Sequence, residues 1–153
     1  MGASSQRRIE VPVIRVATCG NVHVVHQLQV PDFEYAKAEC AAFHRLAGQW
    51  GSASILMMFD KLLPLATPDV RAVYRHTVDN GPPINAWCGV VGGAMGMAAS
   101  IATHIAAQVF SRQQVPMRVF RTIPQAAAWL TGTCETHCSD DELVAAATEL
   151  RQS

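Results

Sequence analysis

An α/β domain built on a mostly parallel five-stranded sheet is the fold class this sequence predicts, and three observations predict it. Five short runs rich in β-branched or apolar residues recur along the chain, and after the second run stretches of helical periodicity separate them. Two of the runs, residues 54–59 (SILMMF) and 84–91 (INAWCGVV), carry no charge, which suits strands covered on both faces. Strands that alternate with helices are joined by right-handed crossovers, so neighbours lie parallel.

Residues 11–18 (VPVIRVAT) read as the first strand. Cys19-Gly20-Asn21 follows, and Gly and Asn tolerate the positive φ of a tight turn. Val22, Val24, His26, Leu28 and Val30 then alternate with His23, Val25, Gln27 and Gln29, so a second strand pairs with the first as an antiparallel hairpin. The same alternation puts His23 and His26 on opposite faces. After Pro31, Asp32 is an N-cap residue, and Glu34 sits in the first turn, where the helix dipole favours an acid. Phe33, Ala36, Cys40, Phe43, Ala47 and Trp50 form one apolar stripe on a helix of about five turns. Gly48 and Gly51 mark its end.

The uncharged run 54–59 is the third strand, closed by Asp60. Thr67-Pro68-Asp69 supplies a cap, a first-position proline and an acid for the next helix, whose inner face is Val70, Val73, Tyr74 and Val78. The run 84–91 is the fourth strand. Gly92-Gly93 then turns the chain into a helix ending near Phe110, with Ala98, Ile101, Ala102, Ile105 and Val109 along one side. Residues 117–121 (MRVFR) form a short fifth strand, and Thr122 and Pro124 open a helix over 125–130. Ser139-Asp140-Asp141-Glu142 is a capping box for a terminal helix with Leu143, Val144, Ala147 and Leu150 on one face.

At 153 residues the chain has the size of one domain. Three parts are expected: a flexible tail over 1–10, the α/β domain over 11–132, and a polar loop with a C-terminal helix over 133–153. Twelve basic and twelve acidic residues leave no net charge and form no basic stripe, which argues against a nucleic-acid partner. Arg7 and Arg8 have no apolar run behind them, so no signal peptide is expected. Residues 80–111 hold no charge, but Pro82-Pro83 and Gly92-Gly93 interrupt them and Leu, Ile, Phe and Val are sparse. A buried strand, a turn and a core helix are expected there rather than a transmembrane segment. Cys19, Cys40, Cys88, Cys134 and Cys138 are odd in number and scattered, which fits reduced thiols in a cytoplasmic protein.

Two stretches carry a family resemblance. One is Pro116-Met117-Arg118-Val119-Phe120-Arg121-Thr122, followed by Ala126-Ala127-Ala128-Trp129-Leu130. The other is the buried strand ending in Asp60, with the Thr67-Pro68-Asp69 helix start and Arg71 after it. In this order and spacing the chain, from about Val13 to Leu130, resembles the SpoIIAA-like group of STAS/SEC14 domains, which includes bacterial anti-sigma-factor antagonists. The resemblance implies a single-domain STAS fold and a non-enzymatic regulatory module without a cofactor. It also implies a protein partner: a kinase, an anti-sigma factor or another regulator. In the antagonists a partner kinase phosphorylates a Ser or Thr at the start of the helix after the third strand. The closest position here is Thr67. Their Asp-Ser-Ser-Gly pattern is replaced by Ala66-Thr67-Pro68-Asp69, behind a longer loop over 61–66.

Each candidate residue has a structural reading beside its functional one. Thr67 is either a helix cap contributing about 1 kcal/mol, or a phosphoacceptor whose new charge the helix dipole favours and Asp69 opposes. Gly89, Gly92, Gly93 and Gly96 follow a strand and open a helix, a context that presents backbone N–H groups to a phosphate. The Gly-x-Gly pair and a Walker lysine are missing, and glycine equally lets a helix approach a sheet closely. Cys134, His137 and Cys138 are zinc-ligand types, with Asp140 or Asp141 as a fourth, in a polar loop whose simpler reading is free thiols. Their spacing demands a very tight chelate. The histidines are dispersed, with His44, His76 and His104 on separate helices, so no Ser-His-Asp or Cys-His constellation is assembled.

The leading expectation is therefore an interaction module that meets its partner around Asp60, Thr67, Asp69, Arg71 and Arg75. Arg71 and Arg75 stand one helical turn apart and present a small positive surface. The alternative is a small carrier of a lipid or other apolar ligand, with a cavity between the sheet and the helices over 33–50 and 95–110. An enzyme with an unrecognised site is third. Helices gathered on one side of the sheet would leave its other face to be covered by self-association, as in a homodimer.

Overall fold

Residues 12–61, 63–92 and 115–153 are described by a computed structural model of the chain. Its first two strands, β1 (Ile14–Cys19) and β2 (Val22–Gln27), pair antiparallel around Gly20-Asn21. Gly20 has a φ of 55°, and a Cβ there would meet the Thr136 carbonyl oxygen at 2.1 Å, so the turn needs glycine on two counts. β2 pairs with β3 (Ala53–Phe59), β3 with β4 (Ile84–Val91), and β4 with β5 (Met117–Phe120), all parallel. The strand order β1-β2-β3-β4-β5 gives the mixed five-stranded sheet the sequence predicts, with the hairpin strand at one edge. The tail expected over 1–10 and the helix expected through Phe110 lie outside the described residues.

Local signals set the helices. α1 (Phe33–Trp50) starts at Asp32, whose carboxylate accepts from the Tyr35 backbone N–H at 2.9 Å, and ends at Gly51 in the left-handed region with φ 84°. Its stripe is buried at Ala36, Cys40, Phe43 and Ala47, while Phe33 and Trp50 at the two ends stay exposed. α2 (Pro68–Asn80) buries Val70 and Val78. α3 (Ile123–Thr133) outruns the predicted 125–130 at both ends: Thr122 caps it by accepting from Gln125 N–H at 3.3 Å, and proline fits its first turn. α4 (Asp140–Gln152) opens on the predicted capping box, with Ser139 and Glu142 bonded reciprocally.

Side-chain parity divides the sheet into two faces. Val22, Val24, Leu56, Met58, Ala86, Cys88 and Val90 pack on one face against Ile123, Ala126, Ala127 and Leu130 of α3 and Leu143 and Ala147 of α4. His23, Ile55, Met57, Phe59, Trp87 and Val91 lie on the other, where α1 contributes Phe43 and Leu46 and α2 contributes Val78. β2 is thus buried at all six residues, although its alternation is that of a strand with one wet face. The expectation that the helices gather on one side is corrected. α3 and α4 cover the second face, with Leu130 and Leu143 fully buried, and burial of such a side chain stabilises by about 1.5–3 kcal/mol. The uncovered face that pointed to a homodimer is filled by the chain itself.

Gly89 is also placed differently from the glycine-loop reading. It lies inside β4, and its missing Cβ makes room for the Trp87 indole, which a Cβ would meet at 2.6 Å. Among the described residues no helix is long and apolar enough to cross a membrane.

Candidate functional site

β2, β3 and β4 run parallel, so their carboxyl ends, Gln27, Phe59 and Val91, lie along one edge of the sheet. In open α/β sheets this edge is where loops and helix N-termini converge on ligands. α1 and α2 both begin here. Ala36 packs with Ala66 and Val70, which brings the first turn of α1 against the start of α2. Phe33 lines a shallow groove of about 680 Å³ together with Asp69, Ala72 and Val73. His44 and His76 lie on separate helices, as predicted, yet the groove brings both to one surface.

Thr67 holds the N-cap backbone position of α2, with φ −62° and ψ 156°, but its hydroxyl does not cap the helix. It donates instead to the Asp69 carboxylate, and that bond holds Asp69 below the usual carboxylate range. The capping reading of Thr67 is therefore corrected. Pro68 in the first turn and the backbone bond from Arg71 N–H to Thr67 O, at 3.0 Å, start the helix without a side-chain cap. Thr67 and Asp69 are exposed, and Arg71 and Arg75 are half-buried. Among the described residues neither arginine forms an ion pair.

Asp60 separates from this group. Its carboxylate accepts from His26 Nε2 at 2.8 Å and from the Arg151 guanidinium at 3.1 Å. Partial burial works to raise the Asp60 carboxyl, but the hydrogen bonds and charges of His26 and Arg151 together outweigh it and hold the group below its usual value. Asp60 thus ties β3 to the last turn of α4 rather than joining Thr67 and Arg71. Gly92 is a neighbour: a Cβ there would come within 3.8 Å of Arg151 Nη2. Gly93 and Gly96, the rest of the phosphate-loop candidate, lie outside the described residues. The helix over 95–110, which the apolar-carrier alternative needs as a cavity wall, lies outside them too.

Two side-chain networks escaped the reading of the sequence. One is His26–Asp60–Arg151. The His26 ring is buried, and among the described residues its Nδ1 has no hydrogen-bond partner. The other lies on the opposite face. Glu39 of α1 is buried, accepts from the Tyr74 hydroxyl of α2 at 2.5 Å, and lies 3.8 Å from His23 Nε2 of β2. The His23 ring stands edge-on to Phe43, with centroids 5.6 Å apart. Burial and the adjacent Glu39 charge push the Tyr74 hydroxyl far up, so it remains a donor. A signal for this network did exist. Glu39 falls three residues after Ala36 and directly before Cys40, on the flank of the apolar stripe.

Cys134, His137 and Cys138 do not converge. Cys134 Sγ contacts Ser54 Oγ at 3.2 Å, the Cys138 thiol donates to the Cys19 carbonyl at 3.5 Å, and His137 stacks on Trp50 with centroids 4.4 Å apart. The loop turns sharply, with His137 at φ 51°, and although the three residues line one cleft, each side chain is engaged with a different partner. Asp140, a candidate fourth ligand, accepts from the Thr131 hydroxyl. Among the described residues no group of His, Cys, Asp and Glu is arranged to hold a metal ion.

Compared with known proteins, the chain matches no family model and no curated protein.

Proposed function

We propose that this chain is a non-enzymatic protein-interaction module of the STAS/SpoIIAA-like kind, engaging a regulatory protein through the segment that leaves the carboxyl end of β3. One observation carries the reading: the surface at the start of α2 combines exposed apolar area with unpaired cations. Leu65 is 43 % exposed, and Arg71 and Arg75 have no acidic partner among the described residues. Such a surface fits a partner that presents an acidic rim around an apolar contact. Thr67 is the regulatory position in this reading. A phosphate there breaks the hydroxyl bond to Asp69 and sets two negative groups side by side, so modification switches partner binding off.

The test is a pull-down with the wild-type chain and with the double variant Arg71→Ala/Arg75→Ala. The wild type is expected to retain a specific acidic partner, and the variant to lose about tenfold or more in affinity for it. A complex that survives the double substitution unchanged rejects this surface.

A further inference from the structure

We propose that Cys19 and Cys138 are a redox pair that closes into an intramolecular disulfide when the protein meets a small disulfide oxidant, stapling the start of α4 to the β1–β2 turn. The α3–α4 loop seats directly on the hairpin. Asn21 N–H donates to Thr136 O at 3.1 Å, Gly20 has no Cβ to hold the loop away, and the Cys138 thiol reaches the Cys19 carbonyl at 3.5 Å. Cys138 is also one of the neighbours that raise the Cys19 thiol, as its place against the Cys19 carbonyl requires. Both residues are partly exposed, and Cys138 lines an open cleft of about 810 Å³ beside Thr136 and Ser139, which admits a small oxidant. Cys40 and Cys88 are buried, and Cys134, which lines the same cleft, is engaged by Ser54 Oγ and the Leu130 carbonyl.

The surroundings set the order of steps. Burial and the adjoining Cys138 push the Cys19 thiol up to about 12, which keeps it protonated at neutral pH. Cys138, on the cleft, therefore attacks first. Its sulfur displaces one half of the small disulfide, which leaves as a thiol carrying the Cys138 proton, and a mixed disulfide remains on Cys138. The Cys19 sulfur then attacks the Cys138 sulfur, and the second half leaves with the Cys19 proton. Two protein thiols are oxidised to one disulfide, and the oxidant is reduced to two thiols. The link joins positions 119 residues apart, so it removes chain freedom mainly from the unfolded state. Arg151 already ties the far end of α4 to Asp60, so the staple fixes this helix across the sheet at both ends.

The experiment treats the folded full-length chain with glutathione disulfide and maps peptides by mass without reduction. The wild type is expected to lose the mass of two hydrogens, to yield a linked Cys19–Cys138 peptide, and to gain about 5 °C or more in thermal midpoint, reversed by dithiothreitol. Cys19→Ser is expected to stop at a glutathione adduct on Cys138, with no link. Cys138→Ser is expected to form neither link nor adduct at Cys19. Cys134→Ala is expected to behave as the wild type. A link through Cys134, a lasting glutathione adduct on wild-type Cys138, or a wild-type chain unchanged by the oxidant would overturn the proposal.

Discussion

His26 Nε2 lies 2.8 Å from Asp60 Oδ2, joining the end of β2 to the residue that closes β3, and Arg151 extends the contact to the last turn of α4. One carboxylate therefore locks three elements at the carboxyl edge of the sheet. Because Asp60 is held below its usual value, the stability it contributes is fully present above the unfolded-state value of an aspartate. That stability is lost as pH falls through the lower folded-state value. Asp60→Asn is expected to cost about 1 kcal/mol at neutral pH, since the group is nearly half exposed. The two proteins converge in stability in acid. Denaturant unfolding followed across pH measures both limbs.

Tyr74 and Glu39 form the buried counterpart on the other face. Tyr74→Phe removes the hydroxyl that Glu39 accepts from and leaves a buried carboxylate short of a donor, at a cost of about 1–3 kcal/mol. Tyr74→Phe combined with Glu39→Met is expected to cost less than the sum of the two single changes, because it removes both ends of the Tyr74–Glu39 bond together and strands neither. A double-mutant cycle by equilibrium unfolding reads the coupling.

Thr67→Ala is expected to lower stability by less than about 0.5 kcal/mol, whereas Asp32→Ala, at a side chain that does cap its helix, costs about 1 kcal/mol. Urea midpoints of the two variants, measured side by side, check the difference.

Gly89 and Gly48 respond oppositely to a methyl group. Gly89→Ala presses a Cβ into the fully buried Trp87 ring and is expected to cost about 1–3 kcal/mol. Gly48 lies within α1 with open space around it, so Gly48→Ala is expected to gain about 0.5–1 kcal/mol. Thermal melts of both variants show the opposite signs.

The elements with strong local signals were legible in the sequence. β4 spans the predicted strand over 84–91, and α1 spans the residues between its Asp32 cap and Gly51. What stayed hidden was long-range. The crossover rule places helices that join parallel strands, but α3 follows the edge strand β5 with no further strand to return to, so periodicity alone did not reveal which face Leu130 and Leu143 cover. That Thr67 and Arg71 fall at the start of one helix was legible because they are near neighbours in sequence. Asp60 meeting Arg151, and Glu39 meeting His23 and Tyr74, each need the folded register to bring distant residues together.

The most direct measurement places a photo-crosslinking side chain at Leu65 and, as a control, at Gln49, an exposed position near the other end of α1. A discrete protein adduct from position 65 that disappears with Arg71→Ala/Arg75→Ala, with none from position 49, is the result predicted for a working surface at the start of α2. Adducts of equal strength from both positions, or none from position 65 in cells producing the chain, would contradict it.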